Sequence, residues 1–404
     1  MCISNGRIIS RYLTTLHGQG KEILTTETDK KKSLRVALIA SQRTLDEYAA
    51  FLEHLVVGLA DESIPLALVC PPSSDVDTVI SGTASVIRFP VFELPFTEHL
   101  NRKILIERLA QFEPAVLHCL CESKAALTMY LAGEFNMPYV LSVNSLRQQW
   151  RRLSISPVWC AGIIVPTKSV VESVAKTYPR FTDRINQINI GTFVEDDIKC
   201  FSSSSRLASI IVAPAGGTLD NADDFENLFN AIRHLMIDRY EFMVVVVGEG
   251  RAEGQLRKLS AALGLSQVVT IVPRLKPWPA SIRRASGDIF IQPQPSFAFN
   301  PLLLEAMSIG TAVAACKGGV DDLIIEGQTA VVFDPNDQLS IKSTLQGLLD
   351  GCEFARKIAK GAQQYLRKNH TVSKMISAML QSYGDAAQWS GCSDKEKTHS
   401  RVTS

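Results

Sequence analysis

No run of apolar residues in this 404-residue chain approaches the roughly 18 that a membrane-spanning helix needs. The first residues, MCISNGRIISRYLTTLHG, also lack the apolar stretch of a secretory signal. The expectation is a cytoplasmic protein with no transmembrane segment, for which peripheral contact with a membrane stays open. An excess of either charge is missing too. With 42 basic against 41 acidic residues there is no electrostatic footprint for nucleic acid and no acidic tail, so a nucleic-acid partner is not expected. The nine cysteines form no C-x-x-C pair, and Cys119 and Cys121 have no histidine or second pair at zinc-site spacing. The seven histidines make no H-E-x-x-H or other metal pattern. Buried reduced thiols and no metal site follow. Asp and Glu are absent from residues 1–21, a composition shared by transit peptides and by loose extensions, and a poorly ordered extension over 1–33 is expected.

What is present is an apolar content of 46% over a length that suits about two domains, each able to bury its own core. Strands alternate with helical segments, and the alternation occurs twice. In the first half the strands are read at 34–41, 65–70, 85–90, 115–120, 139–143 and 162–166, with helices near 45–60, 97–112 and 123–135. After a polar break containing four consecutive serines, a second series runs through strands at 208–214, 242–248, 268–272, 288–292, 312–316 and 330–333. Helices are read between them near 222–236 and 251–263, and at 301–307. Three more close the chain near 338–349, 352–367 and 373–387, the last with Met375, Met379 and Leu380 on one face. Most strands are continuous apolar runs rather than alternating ones, which marks parallel sheets covered on both faces. The fold class is therefore α/β, with two doubly wound Rossmann-like domains facing across a cleft at their strand C-termini, where such folds bind ligands.

The most informative segment is PSFAFNPLLLEAMSIGTAVAACKGGV, from Pro295 to Val320. Asn300 is placed to cap a helix that Pro301 opens, where a missing N–H costs nothing. Glu305 then lies about one turn inside, and a carboxylate there can accept both hydroxyls of a ribose. Gly318 and Gly319 allow a tight turn beside a ligand. Gly248 and Gly250 follow a strand, where they relieve crowding and come near a base.

Three stretches, VVVVGEGRAEGQLRKLSAALGL, ASGDIFIQPQPSFAFNPLLLEAMSIGTAVAACKGG and DDLIIEGQTAVVFDPND, together resemble the C-terminal domain of the family-4 glycosyltransferases of the GT-B fold, the glycosyl transferases group 1. Looser support extends over about 34–388, through AVLHCL and INIGTFVE. The resemblance implies transfer of a sugar from a nucleotide-sugar to an unknown glycan or lipid-linked acceptor, with retention at the anomeric carbon and no cofactor or metal. It implies an acceptor-side domain at 34–198, a linker at 199–207 and a nucleotide-sugar-side domain at 208–372. A last helix at 373–388 crosses back to the first domain, and a disordered tail covers 389–404.

Against this family the donor site departs at several places. Breaking the bond to a diphosphate needs cations and N–H groups already aimed at its oxygens. The family places an Arg and a Lys after the first strand of the second domain, but APAGGTLDNADDFEN has neither and supplies Asp220, Asp223, Asp224 and Glu226 instead. A second family Glu, which meets the donor sugar, is replaced by Phe297, and the following glycine run by Asn300 and Pro301, with Leu302 beside them. In the first domain the glycine-rich turn reads SQRTLDEY, containing Arg43, and the expected histidine after the fifth strand is Asn144. Arg43, Arg251, Lys276 and Lys317 are the candidates to replace the missing cations. His118, at a strand end, is a candidate catalytic residue, as are Arg43 and Asn144. Two readings follow: a transferase with a remodelled donor site, or a catalytically degenerate relative that binds nucleotide, glycan or a partner enzyme.

Overall fold

The computed structural model describes residues 34–76, 84–92, 94, 96–146, 153–202, 207–214, 217–273, 287–316, 318–320 and 322–389. The expected N-terminal extension, the serines 203–205 and the tail from 390 lie outside them.

The first sheet has seven parallel strands: β1 (Val36–Ile39), β2 (Leu66–Cys70), β3 (Ala84–Arg88), β4 (Val116–Cys119), β5 (Tyr139–Ser142), β6 (Cys160–Val165) and β7 (Ile185–Gln187). They are ordered β3-β2-β1-β4-β5-β6-β7. The second sheet has six: β8 (Ala208–Val212), β9 (Phe242–Val247), β10 (Val269–Val272), β11 (Ile289–Gln292), β12 (Ala312–Cys316) and β13 (Val331–Phe333). Its order, β10-β9-β8-β11-β12-β13, repeats the doubly wound arrangement, and all its pairings are parallel. The direction of winding reverses between β1 and β4 in one sheet and between β8 and β11 in the other, the positions where such sheets open a crevice. The central strands are apolar because helices cover both faces; β1, β4, β5, β11 and β12 are buried at every position.

Three features differ from the sequence expectation. The helix read near 45–60 is two helices, α1 (Gln42–Glu47) and α2 (Ala49–Asp61), broken at Tyr48 with φ −111° and ψ 26°. The first begins early because Ser41 accepts a hydrogen bond from the Thr44 N–H, which caps it. Arg43 therefore sits on a helix rather than in a turn. Beyond β6, where the sequence pattern predicts no further element of the first sheet, Lys168–Thr177 forms a helix capped by Thr167, and a 3₁₀ turn over Pro179–Arg184 leads into β7. At three residues, INQ, this edge strand carries too little apolar pattern to be read.

The helix Val372–Ala387 returns to the first sheet, packing against α2, β4, β5 and β6. Its Val372, Met375, Ile376, Met379, Tyr383 and Ala386 join the same buried cluster as Val36, Leu38 and Leu55. Leu380 is partly buried beside them. The first sheet therefore takes part of one side of its core, shared with Leu52, Leu55 and Leu59, from residues that follow the second sheet in sequence.

Candidate functional site

The crevice of the second sheet is built from the loops that follow β8, β9, β11 and β12. After β11, Asn300 adopts an extended conformation, and its Oδ1 accepts the Leu302 N–H at 3.1 Å. Its Nδ2 donates to Gln292 Oε1 at 2.9 Å. Pro301 opens the helix Pro301–Ser308, as the sequence suggests, and every residue from Leu302 to Ser308 is buried. Glu305 is only 3% exposed, so it is not the solvated surface carboxylate that helix-borne glutamates commonly are.

The turn after β12 has φ +85° at Gly318 and +106° at Gly319, values that L residues rarely adopt. A Cβ on Gly319 would lie 2.9 Å from the Ser296 nitrogen, and the Val320 N–H donates to the Ser296 carbonyl at 3.0 Å. The glycines thus let the β12 loop lie directly on the β11 loop. Lys276 and Lys317 lie outside the described residues.

Gly248 and Gly250 serve a different contact. The loop after β8 runs alongside them, with Leu219 N donating to Glu249 O at 2.9 Å and Glu249 N to Gly217 O at 3.1 Å. A Cβ on Gly250 would meet the Leu219 carbonyl at 2.3 Å, so only glycine lets the two main chains approach. Arg251 is exposed and donates from Nε to the Asp220 carbonyl at 3.1 Å. The carboxylates of Asp220, Asp223, Asp224 and Glu226 are exposed around the same turn. Asp224 is held above the ordinary carboxylate range by desolvation, which the neighbouring Asp223 and Asp220 reinforce and the Asn221 amide opposes. The segment is acidic, as expected.

Across from these loops, Arg43 Nε pairs with Glu47 Oε1 at 2.7 Å, with its side chain about half exposed. Asn144 is a structural joint: its N–H donates to Glu122 Oε1 at 2.8 Å and its Nδ2 to the Leu120 carbonyl at 3.3 Å. His118 is fully buried. Its Nδ1 lies 2.7 Å from the Tyr383 hydroxyl and its Nε2 2.8 Å from Ser142 Oγ. Burial pushes its pKa down to about 3, which keeps the ring neutral. The structure therefore corrects the catalytic expectation for His118: with both ring nitrogens engaged and no accessible surface, it ties the returning helix to the first sheet and does not face a substrate.

The two sets of loops meet through main-chain bonds that no motif announced. Ser145 and Ala298 form an antiparallel bridge, flanked by Leu146 N donating to Phe297 O at 2.7 Å and Phe299 N to Asn144 O at 3.0 Å. Tyr48 adds its hydroxyl to the Phe299 carbonyl at 3.2 Å. Glu122 steadies the first-sheet side, accepting from both the Ser145 N–H and Oγ as well as from Asn144. Phe297 is 60% exposed beside the bridge. Behind it, Tyr48, Ser142, Asn144, Ile190 and Met379 border a space of about 20 Å³, room for one water molecule.

Two doubly wound parallel sheets facing through their strand C-termini, closed by a helix that returns from the second to the first, define a GT-B glycosyltransferase fold. Within it, residues 212–365 match the family described as Glycosyl transferases group 1. It is 31% identical over 302 residues to the sulfoquinovosyl transferase SQD2 of Arabidopsis thaliana, a match covering 68% of this chain and 58% of that protein. A D-inositol 3-phosphate glycosyltransferase of Thermomonospora curvata is 30% identical over 135 residues, about 31% of either chain. The chain thus spans little more than half the length of the first relative and under a third of the second. Among solved structures, a glycosyltransferase from Rickettsia africae superposes with a TM-score of 0.70 at 14% identity, covering 88% of this chain and 99% of that one. Anabaena HepE in complex with UDP and glucose gives 0.68 at 12% identity, covering 87% of this chain and 99% of that one. These likenesses bear on the fold.

Among the described residues no group of three or more His, Cys, Asp or Glu side chains is placed to hold a metal ion, and no helix is long and apolar enough to cross a membrane.

Proposed function

We propose that the protein transfers a sugar from a nucleotide-sugar donor, with retention at the anomeric carbon and without a metal ion, to a glycan or lipid-linked acceptor in the cytoplasm. The observation that carries this reading is the buried Glu305, one turn into the helix at the winding reversal of the second sheet, whose preceding loop packs against the Gly318–Gly319 turn. Its carboxylate is assigned to the two ribose hydroxyls, and a uridine nucleotide is the first donor to test because the similarly folded HepE was solved with UDP and with UDP-glucose. In the reaction the acceptor hydroxyl oxygen bonds to the anomeric carbon as the bond from that carbon to the diphosphate breaks. The acceptor proton leaves with the released nucleoside diphosphate. Charge grows on that leaving group, so a cation or a set of free N–H groups is required there.

A second reading, binding of nucleotide or glycan without turnover, is favoured by how the β11 loop spends its donors. Pro301 has no N–H, the Leu302 N–H is held by Asn300, the Ala298 N–H by Ser296 Oγ and the Phe299 N–H by the Asn144 carbonyl. Arg251 donates to a carbonyl and Arg43 to a glutamate. Titration calorimetry with UDP- and GDP-sugars, paired with a donor hydrolysis assay on the native chain and on Glu305→Ala, separates the two. Turnover lost in Glu305→Ala supports transfer, and binding without turnover supports the second reading. Failure of every nucleotide-sugar to bind would sink transfer and the nucleotide half of the second reading.

A further inference from the structure

Away from the β11 loop, a groove of about 740 Å³ runs between the two lobes. None of its lining residues belongs to the β11 loop or to the helix of Glu305. One wall comes from the first lobe, with Lys168 at a helix start and Gln187 and Asn189 at the end of β7. The other comes from Asp322, beyond the Gly318–Gly319 turn, and from Tyr365 and Asn369 on the helix Cys352–Asn369. Ile188, Met375 and Ala378 add apolar surface. A volume of this size, with a few converging polar groups on an apolar base, falls within the range that holds small organic ligands.

The polar groups are fixed in place by one another. Asp322 Oδ2 accepts the Lys168 N–H at 2.9 Å and the Gln187 amide at 3.1 Å. Asn189 Nδ2 donates to the Asn369 carbonyl at 3.2 Å, Asn369 Nδ2 to the Tyr365 carbonyl at 3.1 Å, and the Tyr365 hydroxyl to the Asp322 carbonyl at 3.2 Å. These bonds leave one half of several groups unused. Among the described residues Lys168 Nζ, Asp322 Oδ1, Gln187 Oε1 and Asn369 Oδ1 have no hydrogen bond or ion pair. The free set is therefore one cationic donor, one carboxylate acceptor and two amide acceptors, while the second lysine, Lys374, donates to the Lys368 carbonyl at 2.6 Å. A phosphate would meet the Asp322 carboxylate as well as Lys168. A neutral ligand rich in hydroxyls, each able both to donate and to accept, suits the set, and groups already held in position lose little freedom on binding it.

We propose that this groove is a second saccharide site, taking one or two neutral sugar residues of a glycan separately from the nucleotide site. It stands whether or not the chain turns over a donor. The test is saturation-transfer NMR and titration calorimetry on the full chain with maltotriose, cellotriose and mannotriose at millimolar concentrations, with glucose 6-phosphate and inorganic phosphate as charged probes. Binding of at least one neutral oligosaccharide is expected, abolished in Ala378→Trp, weakened about tenfold in Gln187→Ala and unchanged in Glu305→Ala. Gln187 is exposed on an edge strand, so its variant serves where the tryptophan disturbs folding, and thermal melts check both. No binding by any neutral probe, tighter binding of either charged probe, or binding indifferent to both groove variants would overturn the proposal. Loss of binding in Glu305→Ala would move the saccharide to the nucleotide site and overturn it as well. Loss of UDP-sugar binding alone in Glu305→Ala bears only on the nucleotide reading.

Discussion

Ser145 and Ala298, one from each lobe, face each other as an antiparallel bridge, and the Glu122 carboxylate holds the first-lobe side of it through three hydrogen bonds. Glu122→Ala strips two main-chain N–H groups and a hydroxyl of a charged acceptor at once. A loss of about 1–3 kcal/mol in unfolding free energy is expected from urea titration, together with faster amide exchange at Ser145 and Leu146. Glu122→Gln, which keeps one acceptor oxygen, should lose less. Equal stability of Glu122→Ala and the native chain would show that the loop does not depend on this clamp.

Gln292 and Asn300 form a buried amide pair, both fully enclosed, with Gln292 Nε2 lacking a partner among the described residues. Asn300→Ala removes a helix cap and should cost about 1–2 kcal/mol. Gln292→Leu leaves Asn300 Nδ2 without its acceptor but also deletes the orphaned N–H. In a double-mutant cycle the combined variant should lose less than the sum of the single losses, because each change removes what the other leaves unsatisfied. Simple additivity would mean that the pair is not coupled.

His118 makes the stability of the first lobe depend on pH. Burial lowers its folded pKa to about 3 from an ordinary 6.5, so the unfolded chain binds the proton more readily between those values. The stabilisation is present above about pH 6.5 and is lost as pH falls toward 3, with a slope approaching about 1.4 kcal/mol per pH unit, that of one proton. His118→Phe should be less stable at neutral pH, since Ser142 and Tyr383 lose their partner. Its stability should then fall less steeply than that of the native chain between pH 6 and 4. Parallel curves for the two proteins would refute the assignment.

Gly319 and Gly318 differ in what an added methyl would meet. At Gly319 it strikes the Ser296 main chain at 2.9 Å with φ at +106°, whereas at Gly318 the nearest atom is Pro295 Cβ at 3.9 Å. Gly319→Ala should cost more than Gly318→Ala, whose penalty is backbone strain alone, on the order of 1–3 kcal/mol. Thermal melts rank the two, and nucleotide titration should show the larger loss at Gly319.

The sheets were legible because a strand covered on both faces must be apolar at every position, as in FMVVVV and AVAAC. The helix of Glu305 was legible because Asn300 and Pro301 are chemically suited to its start. The bridge at Ser145 and Ala298 was not, since main-chain bonds place no demand on side-chain identity. Nor was the partner of His118, because Tyr383 reaches it only through the return of the last helix. Gln292 was hidden for a related reason: its meaning depends on Asn300, and neither residue alone departs from an ordinary strand end or cap.

The returning helix also sets an order of events on the ribosome. Residues 36–187 emerge before the second lobe, yet the part of their sheet that Val372, Met375, Ile376, Met379 and Tyr383 cover stays open until the chain has been made through Ala387. The second lobe, whose core draws on residues from Cys200 to Ala359, is available to close before that. The first of the two lobes to be synthesised is then the last to be completed, and its uncovered apolar surface is where a nascent chain of this sequence would need shielding.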